Sequence, residues 1–161
     1  MASAVGLVGG SIEDASRAEG RHLYDFDAAL ARVAAAVEAA RRLDFPFTLT
    51  ARAEGFLRGE PDLDEVIRRL QAFERVGADV LMAPGLPTLE AVKAVCAAVG
   101  KPFNFMGGIP GKSFSVAELT GVGVKRISLA GSLHRAATSG FLAAAREVAE
   151  HGTFGYIVAA G

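Results

Sequence analysis

The sequence is short of several things at once, and each shortage closes off a class of protein. It has one cysteine, Cys96, which rules out an internal disulfide and a multi-cysteine zinc site and fits a reducing compartment. Its formal net charge is −1. Lys and Arg are scattered with no basic run, so nothing in the charge pattern suits nucleic acid or an anionic membrane. No apolar run approaches the length of a membrane span. The start, Met-Ala-Ser-Ala-Val-Gly, lacks both a basic segment and a long apolar one, so a secretory signal is not expected. No linker or low-complexity tract divides the 161 residues. With 51% hydrophobic and 22% charged residues, the chain reads as one folded domain, residues 1–161, in the cytosol.

What is present is a repeat of strand, loop, amphipathic helix, Gly and short turn. The strands are expected at 5–11, 48–52, 80–83, 103–106 and 126–130. Helices are expected at 26–43, from Asp62 to Gly77, at 88–99, from Ser115 to about Gly121, and from Ser132 to about Glu150. Apolar residues recur at helical spacing in these segments, as in Leu63, Val66, Ile67, Leu70 and Phe73. Residues 152–161 show no clear pattern. Helices that lead straight into strands imply right-handed crossovers and a parallel sheet. Five such units are too few to close a parallel barrel. The chain is therefore either an open sheet or part of a (β/α) barrel of the TIM type.

The most informative stretch is 48–54, Thr-Leu-Thr-Ala-Arg-Ala-Glu. Alternation puts Thr48, Thr50 and Arg52 on one face and Leu49 and Ala51 on the other. A polar stripe ending in Arg at the C-terminal end of an interior strand points to ligand binding, because that is where parallel α/β proteins bind ligands. The forked guanidinium suits a bidentate grip on a carboxylate. Arg52 could equally pair with Glu54 or Glu13 to neutralise the rim. Glu13 and Asp14 offer oxygen ligands of the kind that suit Mg²⁺; alternatively, Asp14 caps the turn and Glu13 pairs with Arg52. Asn104 shares a strand face with Met106 and is a candidate for the same site. The Asp25-Phe26-Asp27 and Asp62-Leu63-Asp64 runs resemble metal motifs, but both stand at helix starts, where Asp caps free N–H groups. Ser132 reads as an N-cap, Cys96 as core, and His134 and His151 as solvated. His22 lies in the polar loop 15–24, which should be mobile and close over the site.

Ser11-Ile12-Glu13-Asp14, then Thr50-Ala51-Arg52-Ala53-Glu54, then Gly77-Ala78-Asp79-Val80-Leu81 resemble, in order and spacing, the isocitrate lyase/phosphoenolpyruvate mutase superfamily. The resemblance runs over nearly the whole chain, about 5–156, and implies the fourth to eighth units of that family's barrel. The family's paired metal-binding aspartates would then belong to the first three units. The resemblance further implies Mg²⁺-dependent chemistry on a C–C or P–C bond next to a 2-oxo carboxylate, through an enolate. By the same match Glu13 would hold the metal through water and Arg52 would grip the substrate's acidic group. Glu54 falls where the mutase-like branch also carries Glu. Loop 15–24 falls on the family's gating loop, yet it contains neither the lyases' Cys nor the mutase's Lys.

The expectation is thus a Mg²⁺-dependent lyase or hydrolase of a small 2-oxo or 2-hydroxy acid. Its catalytic set would be Arg52, Glu54 and Glu13, with Arg52 and Asn104 on the substrate. A homo-oligomer is expected, with no nucleic acid and no membrane partner. The competing expectation is a catalytically silent binding or assembly module that lacks the primary metal-binding aspartates.

Overall fold

Five short strands alternate with helices along the first part of the chain: β1 (Gly9–Glu13), α1 (Phe26–Arg41), β2 (Thr48–Arg52), α2 (Leu63–Arg75), β3 (Val80–Met82), α3 (Leu89–Ala98), β4 (Phe103–Met106), α4 (Val116–Gly121) and β5 (Arg126–Ser128). The computed structural model describes residues 5–16, 18–20 and 22–159. Every strand pair is parallel, in the spatial order β1-β2-β3-β4-β5. A doubly wound sheet reverses its order at a switch point; here the order never reverses. Successive helices therefore lie side by side, α1 against α2, α2 against α3 and α3 against α4. The register is staggered as well. The last residue of β2, Arg52, is level with the second residue of β4, Asn104, and the first of β5, Arg126. Sequential order with stagger is the geometry of a barrel wall.

Alternation divides the sheet's two faces. Ile12, Ala51, Leu81 and Phe103 occupy one register row and join Leu70, Phe73, Val92, Val95 and Leu119 in the core under the helices. Leu70 and Phe73 are fully buried, and each such side chain contributes about 1.5–3 kcal/mol of burial. Side-chain caps start the helices. Asp25 accepts from Ala28 N–H at 2.8 Å, Asp62 from Glu65 N–H at 3.0 Å, and Ser115 and Glu118 form a reciprocal box. Both Asp-x-Asp runs thus begin helices through their first Asp. Gly77, at φ 104°, turns the chain from α2 toward β3. Asp79 follows and accepts from Leu49 N–H at 2.8 Å and from Arg41 at 2.5 Å, tying β2 to α1 and to the α2–β3 turn.

Several boundaries depart from the expected ones, each for a local reason. β1 begins at Gly9, not Val5, because its partner begins only at Thr48; Val5 and Val8 are exposed. β5 stops at Ser128, short of Ala130, whose φ of 47° is incompatible with a strand. Ser132 is not an N-cap: Gly131 takes that position, and the Ser132 hydroxyl donates back to the Leu129 carbonyl at 2.7 Å. Contacts divide the chain into two compact units, Met1–Ser128 and Leu129–Gly161. The second contains α5 (Ser132–His151) and, where no pattern was expected, α6 (Tyr156–Ala159). Glu147 on α5 organises that tail, accepting from Thr153 Oγ1, Gly155 N–H and Tyr156 N–H. In loop 15–24, Arg17 and Arg21 lie outside the described residues. The loop's ends are joined by an antiparallel bridge between Ala15 and Leu23 and a 2.9 Å bond from Ser16 N–H to the His22 carbonyl. Among the described residues no helix is long and apolar enough to cross a membrane.

Candidate active site

The face of the sheet turned away from the helices carries the polar residues. Partners in a parallel register point to the same side, so the pairings Glu13–Arg52–Met82–Asn104–Arg126 form one row across five strands. At the β1–β2 end of that row Arg52 is held between two carboxylates. Its Nε donates to Glu54 Oε1 at 2.7 Å, and its Nη2 lies 3.3 Å from Glu13 Oε2. Arg58 approaches the other oxygen of Glu13 at 3.7 Å. Nη1 of Arg52 and the outer edge of its fork make no protein hydrogen bond among the described residues. Both pairings considered for the rim are therefore present, and one edge of the guanidinium is still available to a ligand.

A buried network fixes this cluster from below. Asp14, directly after β1, is 1% exposed. It accepts the backbone N–H of Glu54 at 2.8 Å on one oxygen and Arg69 Nη1 at 3.1 Å on the other. Arg69 also donates to the Tyr24 carbonyl at 3.0 Å and to Glu65 at 2.7 Å. Asp14 thus holds the turn after β1, with each of its oxygens accepting one hydrogen bond. Glu54 is fully buried, and its Oε2 has no partner among the described residues. Burial raises the pKa of Glu54 above its ordinary value, against the opposing pull of Arg52. Burial likewise raises that of Asp14, against its Glu54 N–H and Arg69 bonds.

Asn104 sits further along the row, fully buried. Its Oδ1 accepts from Arg126 Nε at 2.8 Å and from Ser128 Oγ at 3.1 Å. Its Nδ2 has no partner among the described residues. Arg126 continues across the same face to Thr50 Oγ1 on β2, at 3.2 Å. The structure therefore sets Glu13, Arg52 and Glu54 in one ionic cluster and puts Asn104 two strands along. His22 joins the loop through its carbonyl. Cys96 is half-buried on α3, where burial pushes its thiol pKa up.

The sequence reading passed over Arg58, Arg69 and Arg126. For Arg69 a signal existed: it falls three residues after Val66 and one before Leu70, on the buried face of α2. For Arg126 the signal was alternation, which puts Arg126 and Ser128 on one side of β5 and Ile127 on the other.

The donors also test the implied metal. Among the described residues no three His, Cys, Asp or Glu side chains come together as a metal shell. Asp14 is engaged on one oxygen by Glu54 N–H and on the other by Arg69, and Glu54 is turned to Arg52 by one oxygen. Glu13, partly exposed, can accept from a water on a metal but is not part of a direct ligand set. The residues fit Mg²⁺ in that outer role only.

A staggered parallel sheet in sequential order, carrying an ionic cluster at the C-terminal ends of β1 and β2, defines a segment of a (β/α) barrel. A model of the phosphoenolpyruvate phosphomutase family matches residues 1–149, and the chain belongs to that family. A protein from Burkholderia cenocepacia J2315 described as a lyase/mutase is 50% identical, with a TM-score of 0.93, over 96% of this chain and 56% of its own. 2,3-Dimethylmalate lyase, a PEP mutase/isocitrate lyase superfamily member, is 26% identical with a TM-score of 0.82, over 95% of this chain and 54% of its own. Oxaloacetate acetylhydrolase in complex with its product oxalate is 26% identical with a TM-score of 0.81, over 91% and 52%. No match is found among curated proteins. The chain spans a little over half the length of the solved structures it matches. Superfamily members are Mg²⁺-dependent lyases, mutases and hydrolases that act on C–C or P–C bonds of small acids.

Proposed function

We propose that these residues belong to a Mg²⁺-dependent lyase or hydrolase that cleaves a C–C (or P–C) bond of a small 2-oxo or 2-hydroxy carboxylate. The observation that carries this reading is Arg52, clasped by Glu54 and Glu13 with one edge of its fork left over. Cleavage of a 2-hydroxy acid turns the hydroxyl carbon into the carbonyl of a 2-oxo acid as the hydroxyl proton leaves to a base, and puts the C–C electron pair on the carbon beside the second carboxylate. Cleavage of a P–C bond beside a 2-oxo carboxylate passes the phosphoryl group to water and leaves the pair on that carbon. In both cases a proton closes the enolate. Arg52 would bind the carboxylate through the free edge, with its orientation fixed by the two carboxylates. Glu54 would hold Arg52 in place through Oε1. Asn104 would donate from Nδ2 to a substrate oxygen. Glu13 would accept from a water of Mg²⁺, and the metal, when bound, supplies positive charge for the enolate oxygen. Oxalate, the product bound to a relative, has the shape of a planar 2-oxo acid enolate. We further propose a cytosolic homo-oligomer.

A second reading, a binding or assembly module without turnover, is supported by the missing direct ligand set among the described residues. Incubating the full chain and Mg²⁺ with a panel of 2-hydroxy and 2-oxo dicarboxylates decides between them, with new 2-oxo acid followed as its phenylhydrazone. The lyase reading predicts Mg²⁺-dependent product from at least one substrate. Oxalate binding without product from any substrate would favour the module.

A further inference from the structure

Asn104 has an amide with one arm doubly bonded and the other buried and unpaired. That asymmetry has a cause. Arg126 carries only donors, so an –NH₂ group facing it would set N–H against N–H. The oxygen must therefore turn toward Arg126 Nε, 2.8 Å away, and Ser128 Oγ supports it at 3.1 Å. Both residues stand on β5, so that strand supplies both donors to Oδ1, and the planar amide turns its other arm to a different side. Arg126 is itself pinned at its far end by Thr50 Oγ1.

A fully buried amide nitrogen without an acceptor is costly, on the order of 1–3 kcal/mol. A fold that holds it in place through two donors from a neighbouring strand is keeping it for an acceptor that arrives. Met82 lies beside Asn104 on the row and Met106 two residues on along β4, and unbranched thioether side chains re-pack readily.

We propose that Arg126, supported by Ser128, is a positioning residue that fixes the Asn104 amide with its –NH₂ presented to a carboxylate oxygen of the ligand. This rests on the proposed function's assignment of Asn104 to the substrate and adds the residue that sets its direction. Arg126 does not itself touch the ligand.

The test is a double-mutant cycle on the full chain, with oxalate binding in the presence of Mg²⁺ read by calorimetry. Asn104→Ala should weaken oxalate by roughly tenfold, the effect of one hydrogen bond to a charged group. Arg126→Met should cause a loss of similar size when Asn104 is present and no further loss in the Asn104→Ala background. Ser128→Ala should cause a smaller loss, also absent in that background, and it supplies the cycle if Arg126→Met does not fold. Additive losses would mean that Arg126 acts on the ligand or the fold directly, and would overturn the proposal. So would unchanged binding in Arg126→Met and Ser128→Ala while Asn104→Ala binds weakly; the proposed function would then survive. If Asn104→Ala binds normally, the positioning role falls together with the Asn104 assignment, and Arg52 variants report on the function separately.

Discussion

Removing Asp14 should be the most destabilising single change near the site. Its side chain is 0% exposed and that of its partner Arg69 only 8%. Asp14→Ala would leave the Arg69 guanidinium buried with Glu65 as its one remaining carboxylate, and would strip the Glu54 N–H of its acceptor. Breaking a buried ion pair by deleting one partner costs about 3–5 kcal/mol, mostly because the other charge stays buried. The two strand ends that carry Glu13 and Glu54 would lose their common anchor. The double variant Asp14→Leu with Arg69→Met should be less destabilised than Asp14→Ala, because it buries no unpaired charge. Urea unfolding at neutral pH measures all three, with a constant denaturant slope as the check that the unfolded state is comparable. An Asp14→Ala midpoint equal to that of the unaltered protein would refute the reasoning. So would a double variant weaker than Asp14→Ala.

Glu54→Gln should show a pH-dependent gain in stability. Burial raises the pKa of Glu54 above 4.5, so its own contribution is complete below that unfolded value and is lost as pH rises through the folded one. The stability of the Gln variant relative to the unaltered protein should therefore climb across that window, and a pH-independent difference in urea midpoints would contradict it. Oxalate affinity should fall through the same window as the second negative charge appears beside Arg52, and Glu54→Gln should flatten that fall in calorimetry. Leu70→Ala, at a fully buried position of α2, should cost about 2–5 kcal/mol in the same unfolding assay. Light scattering should find an association state above one chain; a stable 16.7 kDa particle with a cooperative melt would contradict the proposed oligomer.

The strand order and most helix starts were legible because they are written locally. Asp62, Thr88 and Ser115 each hydrogen-bond an N–H three residues on, and such bonds need nothing from the rest of the chain. Strand ends were less legible because a strand is as long as its partner: β1 starts where Thr48 becomes available, a fact absent from residues 5–11 taken alone. Pairing of Arg52 with Glu54 or Glu13 was expected as the alternative to ligand binding, since Arg52 and Glu54 are two residues apart on one strand end; the structure shows both pairs. The buried network was not. Arg69 meets Asp14 across 55 positions of sequence, and Arg126 meets Thr50 across 76. Helical spacing marks a position as inward but does not say which acid waits there. Glu147 shows the same limit at short range, because its three bonds to the tail depend on the chain reversing at Gly152, where φ is 66°.

The central claim is that Arg52 grips a substrate carboxylate through the edge its two acidic neighbours leave free. Lysine keeps the charge but loses the planar fork. Calorimetry of oxalate with Mg²⁺, comparing Arg52→Lys with the unaltered full chain at one pH, measures that difference directly. The account predicts a loss of more than roughly tenfold in affinity, equivalent to about 1.4 kcal/mol, with the melting temperature retained well enough for both proteins to be folded during the titration. Equal affinity in the two proteins would contradict it and return Arg52 to the role of a charge that neutralises Glu13 and Glu54.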